Sequence, residues 1–184
     1  MNLKTDAFIA LQRLAPQILI TDLAGQLAST KIKWIKNPMI EAFAKQFNVD
    51  MSEAEEPNLN AYNSFNDFFT RALKAGARPV DANESLICSP ADGAISQAGP
   101  IDGSTIFQAK GRSYSLQALL GANDEYSNQF VDGAFATVYL SPSDYHRVHM
   151  PIAGKLLETR YIPGNLFSVN TATAENIDRL FARN

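Results

Sequence analysis

The stretch Ala134-Phe-Ala-Thr-Val-Tyr-Leu-Ser-Pro-Ser-Asp-Tyr-His-Arg-Val-His-Met-Pro151 combines the strongest strand signal of the chain with its densest group of reactive side chains. Its opening residues are apolar and rich in β-formers, which predicts a strand. Ser141, Pro142 and Asp144 then match a helix start, because serine caps, proline suits the first helical position and an acid suits the third. We therefore expect a strand followed by a tight helical turn, whose length Pro151 limits.

Both histidines of the chain lie in this turn. If the turn is helical, His146 and His149 stand on one face, and both imidazoles point toward one centre. Imidazole titrates close to neutral pH, which suits general acid and base catalysis. Two other roles stay open on the residues alone: a metal site that includes Asp144, and a structural role for either histidine.

Short apolar runs at 86–88, 94–95 and 105–107 precede this stretch and alternate with Gly, Pro and Asp. Turn signals at such spacing predict an antiparallel, β-rich body. Between the first two runs, the pair Asp92-Gly93 is a hairpin signal, so Asp92 is most simply a turn residue. Its functional alternative is a carboxylate that fixes the tautomer of a catalytic histidine.

Two conventional nucleophiles are weak candidates. Ser104 follows Gly103 in a polar stretch that predicts the turn before the run at 105–107. Cys88 is the only cysteine and lies in an apolar run, where it is most simply a small core residue. A single cysteine forms no internal disulfide and no thiolate metal cluster, and a reducing compartment fits this composition.

The first fifty residues have a helical pattern in three pieces. One piece precedes Pro16, a second runs from Pro16 toward Leu27, and a third opens at Asn37-Pro38, where asparagine caps and proline takes the first helical position. Charged residues interrupt the apolar ones, so neither a signal peptide nor a membrane span is expected. The third piece carries one apolar stripe, formed by Ile40, Phe43, Ala44 and Phe47.

Charge is small overall and uneven along the chain. A net charge of -3 predicts no nucleic-acid partner. The first 50 residues hold six Lys/Arg and four Asp/Glu, so this end is the more positive. Within it, residues 31–36 alternate lysines with apolar side chains, a composition typical of a segment at a lipid headgroup boundary. The alternative is a helix packed on the core with its lysines solvated.

The middle of the chain suggests a division into two parts. Residues 51–60 are acidic, poor in large apolar groups and contain Pro57, which predicts a linker. Ser64 and Asp67 then form a capping-box pattern at the start of a short helix that should run to about Lys74. We therefore expect an α+β protein: residues 1–60 form a helical region and linker, and residues 61–184 an antiparallel, β-rich domain.

Five separate blocks carry a resemblance to a known family: Phe65–Lys74 with Arg78-Pro79, Pro90–Gly93, Gln108–Gly111 with Tyr114–Leu116, Ser141–His149, and Pro163–Asn170. They resemble the bacterial phosphatidylserine decarboxylases over nearly the whole chain. The block with the two histidines is the most specific of the five.

The resemblance implies a proenzyme that cuts itself at a Gly-Ser bond and converts the serine into a pyruvoyl cofactor. In that scheme Asp92 and His149 match an acid and base pair that activates the serine. The pyruvoyl ketone forms a Schiff base with the amine of phosphatidylserine, carbon dioxide leaves, and His146 suits protonation of the carbanion that remains. The product is phosphatidylethanolamine, so the implied class is a pyruvoyl-dependent carboxy-lyase.

The resemblance also implies a location and partners. The helices of residues 1–60 would dock on an anionic membrane surface, peripherally and on the cytoplasmic face of the bacterial inner membrane. No Leu-Gly-Ser-Thr follows the histidines, so we expect an N-terminal (β-chain) portion, incomplete at its C-terminus, that needs a C-terminal (α-chain) portion and is inactive alone. Exposed sheet edges would favour a homo-oligomer.

Two rival functions remain at this point. One is a noncatalytic lipid-surface module that uses the same helices. The other is a metal-dependent hydrolase built on Asp144, His146 and His149.

Overall fold

The computed structural model describes residues 3–83, 85–121 and 124–184. N-terminal helices are followed by antiparallel strands, which confirms the predicted α+β class. The helices are α1 Leu3–Leu14, α2 Gln17–Ala28, α3 Lys33–Gln46, α4 Phe65–Phe69, α5 Leu116–Leu120, α6 Asp124–Ser127 and α7 Thr171–Asn176, with 3-10 turns at Leu59–Ala61, Asn128–Phe130 and Leu180–Ala182. The strands are β1 Ala94–Pro100, β2 Thr105–Ala109, β3 Arg112–Ser115 and β4 Ala134–Tyr139.

The first three helices follow the predicted pieces, except at the start of α3. The predicted start at Asn37-Pro38 is wrong, because α3 begins at Lys33 and Pro38 lies inside it. Ile32 is the N-cap and makes no side-chain capping bond, and its carbonyl accepts the first backbone bonds of the helix, from Ile35 (3.0 Å) and Lys36 (2.9 Å). Asn37 instead accepts a bond from the buried Lys36 ammonium (2.7 Å).

Two compact units make up the described chain. The first unit comprises Met1–Asp22, Ser96–Thr137 and Leu157–Asn184, and the second comprises Leu23–Ile95 and Val138–Leu156. The predicted division at residue 60 into a docking region and a catalytic domain is a functional one and stays a prediction.

The core of the second unit forms around α3 and α4. The apolar stripe predicted for α3 is confirmed for Ile40, Phe43 and Ala44, of which Ile40 and Ala44 are buried, whereas Phe47 is the C-cap just after the helix. Tyr62 and Phe68 complete this cluster. Aromatic side chains contribute much of its stability, because each removes a large apolar area from water.

The segment at 51–60, predicted as a linker, is packed in the structure. The backbone N–H of Glu55 donates to the carbonyl of Ala72 (3.0 Å), and that of Lys74 donates to the carbonyl of Glu53 (2.9 Å). Ala54 between them is fully buried. This pairing fixes the backbone at Glu53.

Helix α4 begins as predicted and ends earlier. Ser64 accepts a bond from the backbone N–H of Asp67 (3.1 Å), which confirms the predicted cap. The helix ends at Phe69 rather than near Lys74. The chain turns there because Arg71 is buried and bonded to a distant loop, at the carbonyl of Ser143 (2.9 Å).

In the first unit, β2 and β3 form an antiparallel pair with Ile106 opposite Tyr114. Both side chains are buried in a cluster with Ile101, Leu116 and Ala182. Strands β1 and β4 form a second pair, and β4 confirms the strand predicted at 134–140. Ser104 lies in the turn before β2, as the sequence predicts.

Candidate functional site

The loop that carries both histidines, residues 141–149, is not helical. We call it the histidine loop. It contains one turn, closed by the Asp144 N–H on the carbonyl of Ser141 (2.9 Å), and its residues 145–149 form neither helix nor strand. The carboxylate of Asp144 also accepts from the Ser141 N–H (2.6 Å), which closes the turn on itself. The predicted helical turn with both imidazoles on one face is therefore wrong.

The end of the histidine loop pairs with a second loop, residues 89–93, which we call the Asp92 loop, and the pairing continues to the flanking residues Cys88 and Pro151. The N–H of His149 donates to the carbonyl of Pro90 (2.7 Å), and the N–H of Cys88 donates to the carbonyl of Pro151 (2.9 Å). These two bonds join the segments in antiparallel fashion. The sequence blocks that carry Asp92 and His149 are thus neighbours in the second unit.

The Asp92 carboxylate is bound by a guanidinium. Arg78 Nε donates to both carboxylate oxygens (2.9 Å each), and Nη2 donates to Oδ2 (2.6 Å). The other edge of the guanidinium binds Glu53 through Nη1 (3.0 Å) and Nη2 (2.9 Å). The bond from Arg78 lowers the pKa of Glu53, and the bonds to Asp92 and Glu53 raise the pKa of Arg78. Glu53, Arg78 and Asp92 form one group of charges, which we call the arginine clamp.

His149 has a hydroxyl partner within its own loop. The Tyr145 hydroxyl and His149 Nε2 are 2.9 Å apart, and the two rings stack with their centroids 5.5 Å apart. Tyr145 is buried, whereas His149 is exposed. The hydrogen bond and the stacking restrict the orientation of an imidazole that would otherwise be free in solvent.

His146 is half-buried and has different neighbours. Its Nε2 is 3.0 Å from the carbonyl oxygen of Ser141. A carbonyl oxygen only accepts, so Nε2 carries the proton and Nδ1 is the basic nitrogen of the neutral ring. The imidazole stacks on Phe69, with 4.0 Å between centroids. Burial lowers the pKa of His146, and the bond to Ser141 opposes that effect.

The predicted site residues Asp92, His146 and His149 all lie in the second unit. Within the described ranges, no hydrogen bond joins the Asp92 and His149 side chains, because Asp92 binds Arg78 and His149 binds Tyr145. Their roles in catalysis stay predictions.

Sequence reasoning missed three side chains that contact these residues and a fourth, Glu53, that binds one of the three. Arg78, Tyr145 and Phe69 lie inside the blocks quoted above, so the resemblance could have suggested them. Glu53 lies in the acidic segment taken as a linker, and no sequence signal pointed to it. The missed residues are the partners that hold the predicted ones in place.

Two hollows border the Asp92 loop. An open one of about 620 Å³ is lined by residues of that loop together with Tyr139, Ser141 and Asp144. A smaller one of about 210 Å³ lies along the arginine clamp and Tyr145. Among the residues that the structure describes, no three His, Cys, Asp or Glu side chains form a group able to hold a metal ion.

Helix α2 presents a second candidate surface. None of its residues is buried, and its apolar side chains Ile18, Leu19, Ile20, Leu23 and Leu27 are exposed. Trp34, at the start of α3, is also exposed, whereas Lys36 is buried against the carbonyl of Asn60 (3.2 Å). A bilayer-spanning helix is absent from the residues that the structure describes.

Comparison with known proteins identifies the class to which this fold and site belong. A family model described as phosphatidylserine decarboxylase matches residues 65–184, and a second model, described as PSD, matches residues 7–48. The first match covers more than half of the chain and includes both loops of the site. The chain belongs to the phosphatidylserine decarboxylase family.

Individual relatives are similar along almost the whole chain. It is 56% identical over 182 residues to the phosphatidylserine decarboxylase proenzyme of Saccharophagus degradans and 57% identical over 182 residues to that of Ectopseudomonas mendocina; each alignment covers 99% of this chain and 64% of the relative. The proenzyme of Alcanivorax borkumensis is 54% identical over 185 residues, covering 100% of this chain and 64% of the relative. The chain thus spans less than two thirds of the length of these relatives.

Proposed function

We propose that this chain is part of a phosphatidylserine decarboxylase proenzyme, a carboxy-lyase that converts phosphatidylserine to phosphatidylethanolamine and carbon dioxide. The family membership and the names of the relatives support the reaction. The observation that carries the proposal at the site is the bond from the His149 N–H to the carbonyl of Pro90 (2.7 Å). It ties the histidine loop to the Asp92 loop.

The residues at the site fit a pyruvoyl group. A hollow of about 620 Å³ borders Asp92 and Ser141, which leaves room for a peptide segment that carries the group. His146 keeps Nδ1 as a basic nitrogen. The pyruvoyl ketone, when present, supplies an electrophile for the substrate amine and takes up the electron pair left by carbon dioxide. We assign no serine of this chain as its precursor.

His149 and Asp92 serve in the self-cleavage that generates the group. The exposed imidazole of His149 takes the proton of the attacking serine hydroxyl, and the Asp92 carboxylate stabilises the imidazolium that forms. Arg78 occupies three of the lone-pair sites of that carboxylate. A carboxylate has about four such sites, so Asp92 can still accept a bond from His149.

His146 serves in the decarboxylation itself. Its half-buried imidazole gives a proton to the carbon atom that loses carbon dioxide. A burial-lowered pKa makes the imidazolium a stronger acid, which favours that transfer. No metal takes part in the proposed reaction.

The helices supply the contact with lipid. The bare apolar side chains of α2 and the exposed Trp34 suit an interfacial segment that lies on an anionic membrane without crossing it. We propose peripheral attachment at the cytoplasmic face of the bacterial inner membrane, so that the headgroup reaches the site while the acyl chains stay in lipid. A remaining portion of the proenzyme and a second copy of the chain are the proposed protein partners.

The direct test uses phosphatidylserine labelled at the serine carboxyl carbon. The complete reading frame that contains this chain is expressed in cells that lack phosphatidylserine decarboxylase, and their membranes are assayed for labelled carbon dioxide and for phosphatidylethanolamine. We expect both products, and we expect neither from the 184-residue chain alone. An expressed protein that binds phosphatidylserine and releases no carbon dioxide would favour the noncatalytic lipid-binding alternative.

A further inference from the structure

The last residue of α4 and the two residues after it contact the histidine loop at three points. The carbonyl of Thr70 accepts a bond from Arg147 Nε (2.7 Å). Arg71 Nη2 donates to the carbonyl of Ser143 (2.9 Å). The Phe69 ring stacks on the imidazole of His146, which lies between Ser143 and Arg147 in the loop, with 20° between the ring planes. A loop without helix or strand of its own is therefore fixed by residues that precede it by more than seventy positions.

Phe69 is itself rigidly held. Its ring stacks on Phe65 (5.8 Å between centroids, 17° between planes) and meets Phe43 edge to face (5.8 Å, 84°). Such contacts give aromatic side chains a defined orientation. Phe69 thus transmits the position of the α3–α4 core to the imidazole of His146.

The stack and the Ser141 bond restrain the imidazole in complementary ways. The bond from Nε2 to the Ser141 carbonyl (3.0 Å) fixes one edge of the ring, and the Phe69 ring fixes its plane and covers one face. Within the described residues His146 has no other hydrogen bond, so Nδ1 is the edge left for a reacting group. The charged groups that act on it are Arg71, which disfavours the imidazolium, and Asp144, which favours it.

We propose that Phe69 is a positioning residue for His146, which aligns the imidazole and shields one of its faces from water. The inference rests on the proposed function only for the statement that His146 takes part in the reaction. Burial is the main cause of the lowered pKa of His146, which agrees with a shielding role for Phe69.

The test is an NMR titration of the histidine rings in the 184-residue chain. The chain has two histidines, so a His149→Gln variant assigns both sets of signals. In Phe69→Leu, which keeps an apolar side chain and removes the ring, we expect the pKa of His146 to rise toward the ordinary histidine value. The His146 ring protons should also move downfield, because they lose the shielding of the stacked ring. Phe69→Tyr should restore both properties.

Phe65→Leu is the matched control, because it removes a ring from the same cluster that does not touch His146. We expect a smaller change in the His146 pKa in that variant than in Phe69→Leu, because Phe69 keeps its own contact with the imidazole. An unchanged His146 in Phe69→Leu, or an equal change in Phe65→Leu, would overturn the proposal.

Two further results complete the test: the first applies if the variant does not fold, and the second separates this inference from the proposed function. If Phe69→Leu does not fold, the wild-type chain still decides: upfield His146 ring protons with cross-relaxation to the Phe69 ring support the stack, and their absence refutes it. If a His146→Gln proenzyme releases carbon dioxide at the wild-type rate while Phe69→Leu still moves the His146 pKa, the proposed role of His146 fails and the positioning of its ring stands.

Discussion

At the scale of single residues, the arginine clamp is the most heavily bonded part of the site. Arg78 binds Asp92 and Glu53 at once, so the position of Asp92 depends on a residue from the acidic segment at 51–60. The group is close to solvent, where Coulomb energies are screened. Its main effects are therefore the orientation of Asp92 and the proton affinity of Glu53.

Removing the guanidinium should raise the pKa of Glu53. Arg78→Gln deletes the hydrogen bond that lowers this pKa, so the pKa of Glu53 should return toward its ordinary value of 4.5. A carboxyl group with a depressed pKa stabilises the fold at pH values above its unfolded-state pKa, and this stabilisation is lost as the pH falls through its folded-state pKa. The variant lacks this contribution, so it should lose less stability on acidification. Carbon-13 NMR of the Glu53 carboxyl measures the pKa, and denaturant unfolding measures the stability.

Arg160→Gln provides the control for that measurement. It removes a partner of Glu158, whose pKa is lowered by Tyr126 and then by Arg160. We expect the pKa of Glu158 to rise and that of Glu53 to stay constant. A Glu53 pKa that is equal in the wild type and in Arg78→Gln would contradict the clamp.

The Tyr145 hydroxyl should contribute measurably to stability. Tyr145→Phe removes only the bond to His149 Nε2 (2.9 Å) and keeps the ring stack. Loss of such a bond costs about 1 kcal/mol of unfolding free energy. Tyr161→Phe is the control, because Tyr161 is 90% exposed and should change nothing. Equal stability of the two variants in urea would rule the bond out as a contributor.

At the scale of elements, the turn into β1 depends on the absence of a side chain at residue 93. Gly93 has φ +138°, and a Cβ at this position would lie 2.3 Å from the carbonyl oxygen of Tyr139. Both the backbone conformation and the close approach exclude other residues. The Asp92 loop can approach β4 for this reason.

Gly93→Ala should therefore destabilise the chain by roughly 2 kcal/mol or more, since strain and a backbone clash add. Gly99→Ala, within β1 itself, meets no atom within 4 Å and should cost far less. Thermal unfolding of both variants provides the comparison. Similar melting temperatures would mean that the Asp92 loop can move away from β4 at little cost.

Elements that local pattern determines were predictable, and those that distant contacts determine were not. The stripe of α3, the Ser64 cap and β4 each follow from residues close in sequence. The histidine loop has the capping residues of a helix, yet its backbone pairs with the Asp92 loop instead. Tertiary pairing overrides a helix signal as short as this one.

The candidate site shows the same distinction. Asp92, His146 and His149 could be named because the resemblance marks their motifs. The contacts of Arg78 and Phe69 could not be predicted, although both residues lie in such motifs, because Glu53 and Arg78 are 25 positions apart and Phe69 lies far from His146 along the chain. Such contacts depend on the packing of the second unit, which no single motif encodes.

At the scale of the whole molecule, the exposed apolar residues of α2 should bring the chain to lipid. Trp34 is the only tryptophan and is 78% exposed, so its fluorescence reports its surroundings. Vesicles that contain phosphatidylserine should shift its emission to shorter wavelength, because the headgroup region is less polar than water. Leu23→Asp, at a position that is 57% exposed, should weaken this binding.

Leu157→Asp is the control for membrane binding. Leu157 is 86% exposed and lies outside the helices of residues 1–60, so this charge should leave vesicle binding unchanged. Equal loss of binding in both variants would show that docking does not involve α2 specifically.

The central claim is that the Asp92 loop and the histidine loop act as one unit in self-cleavage. A double-mutant cycle on the complete proenzyme, with Asp92→Asn, His149→Gln and both together, tests it by gel quantification of the rate of chain cleavage. Residues that act together are strongly non-additive, so the double variant should cleave no more slowly than the slower single variant. Rate losses that multiply in the double variant, or a single variant that cleaves at the wild-type rate, would contradict the claim.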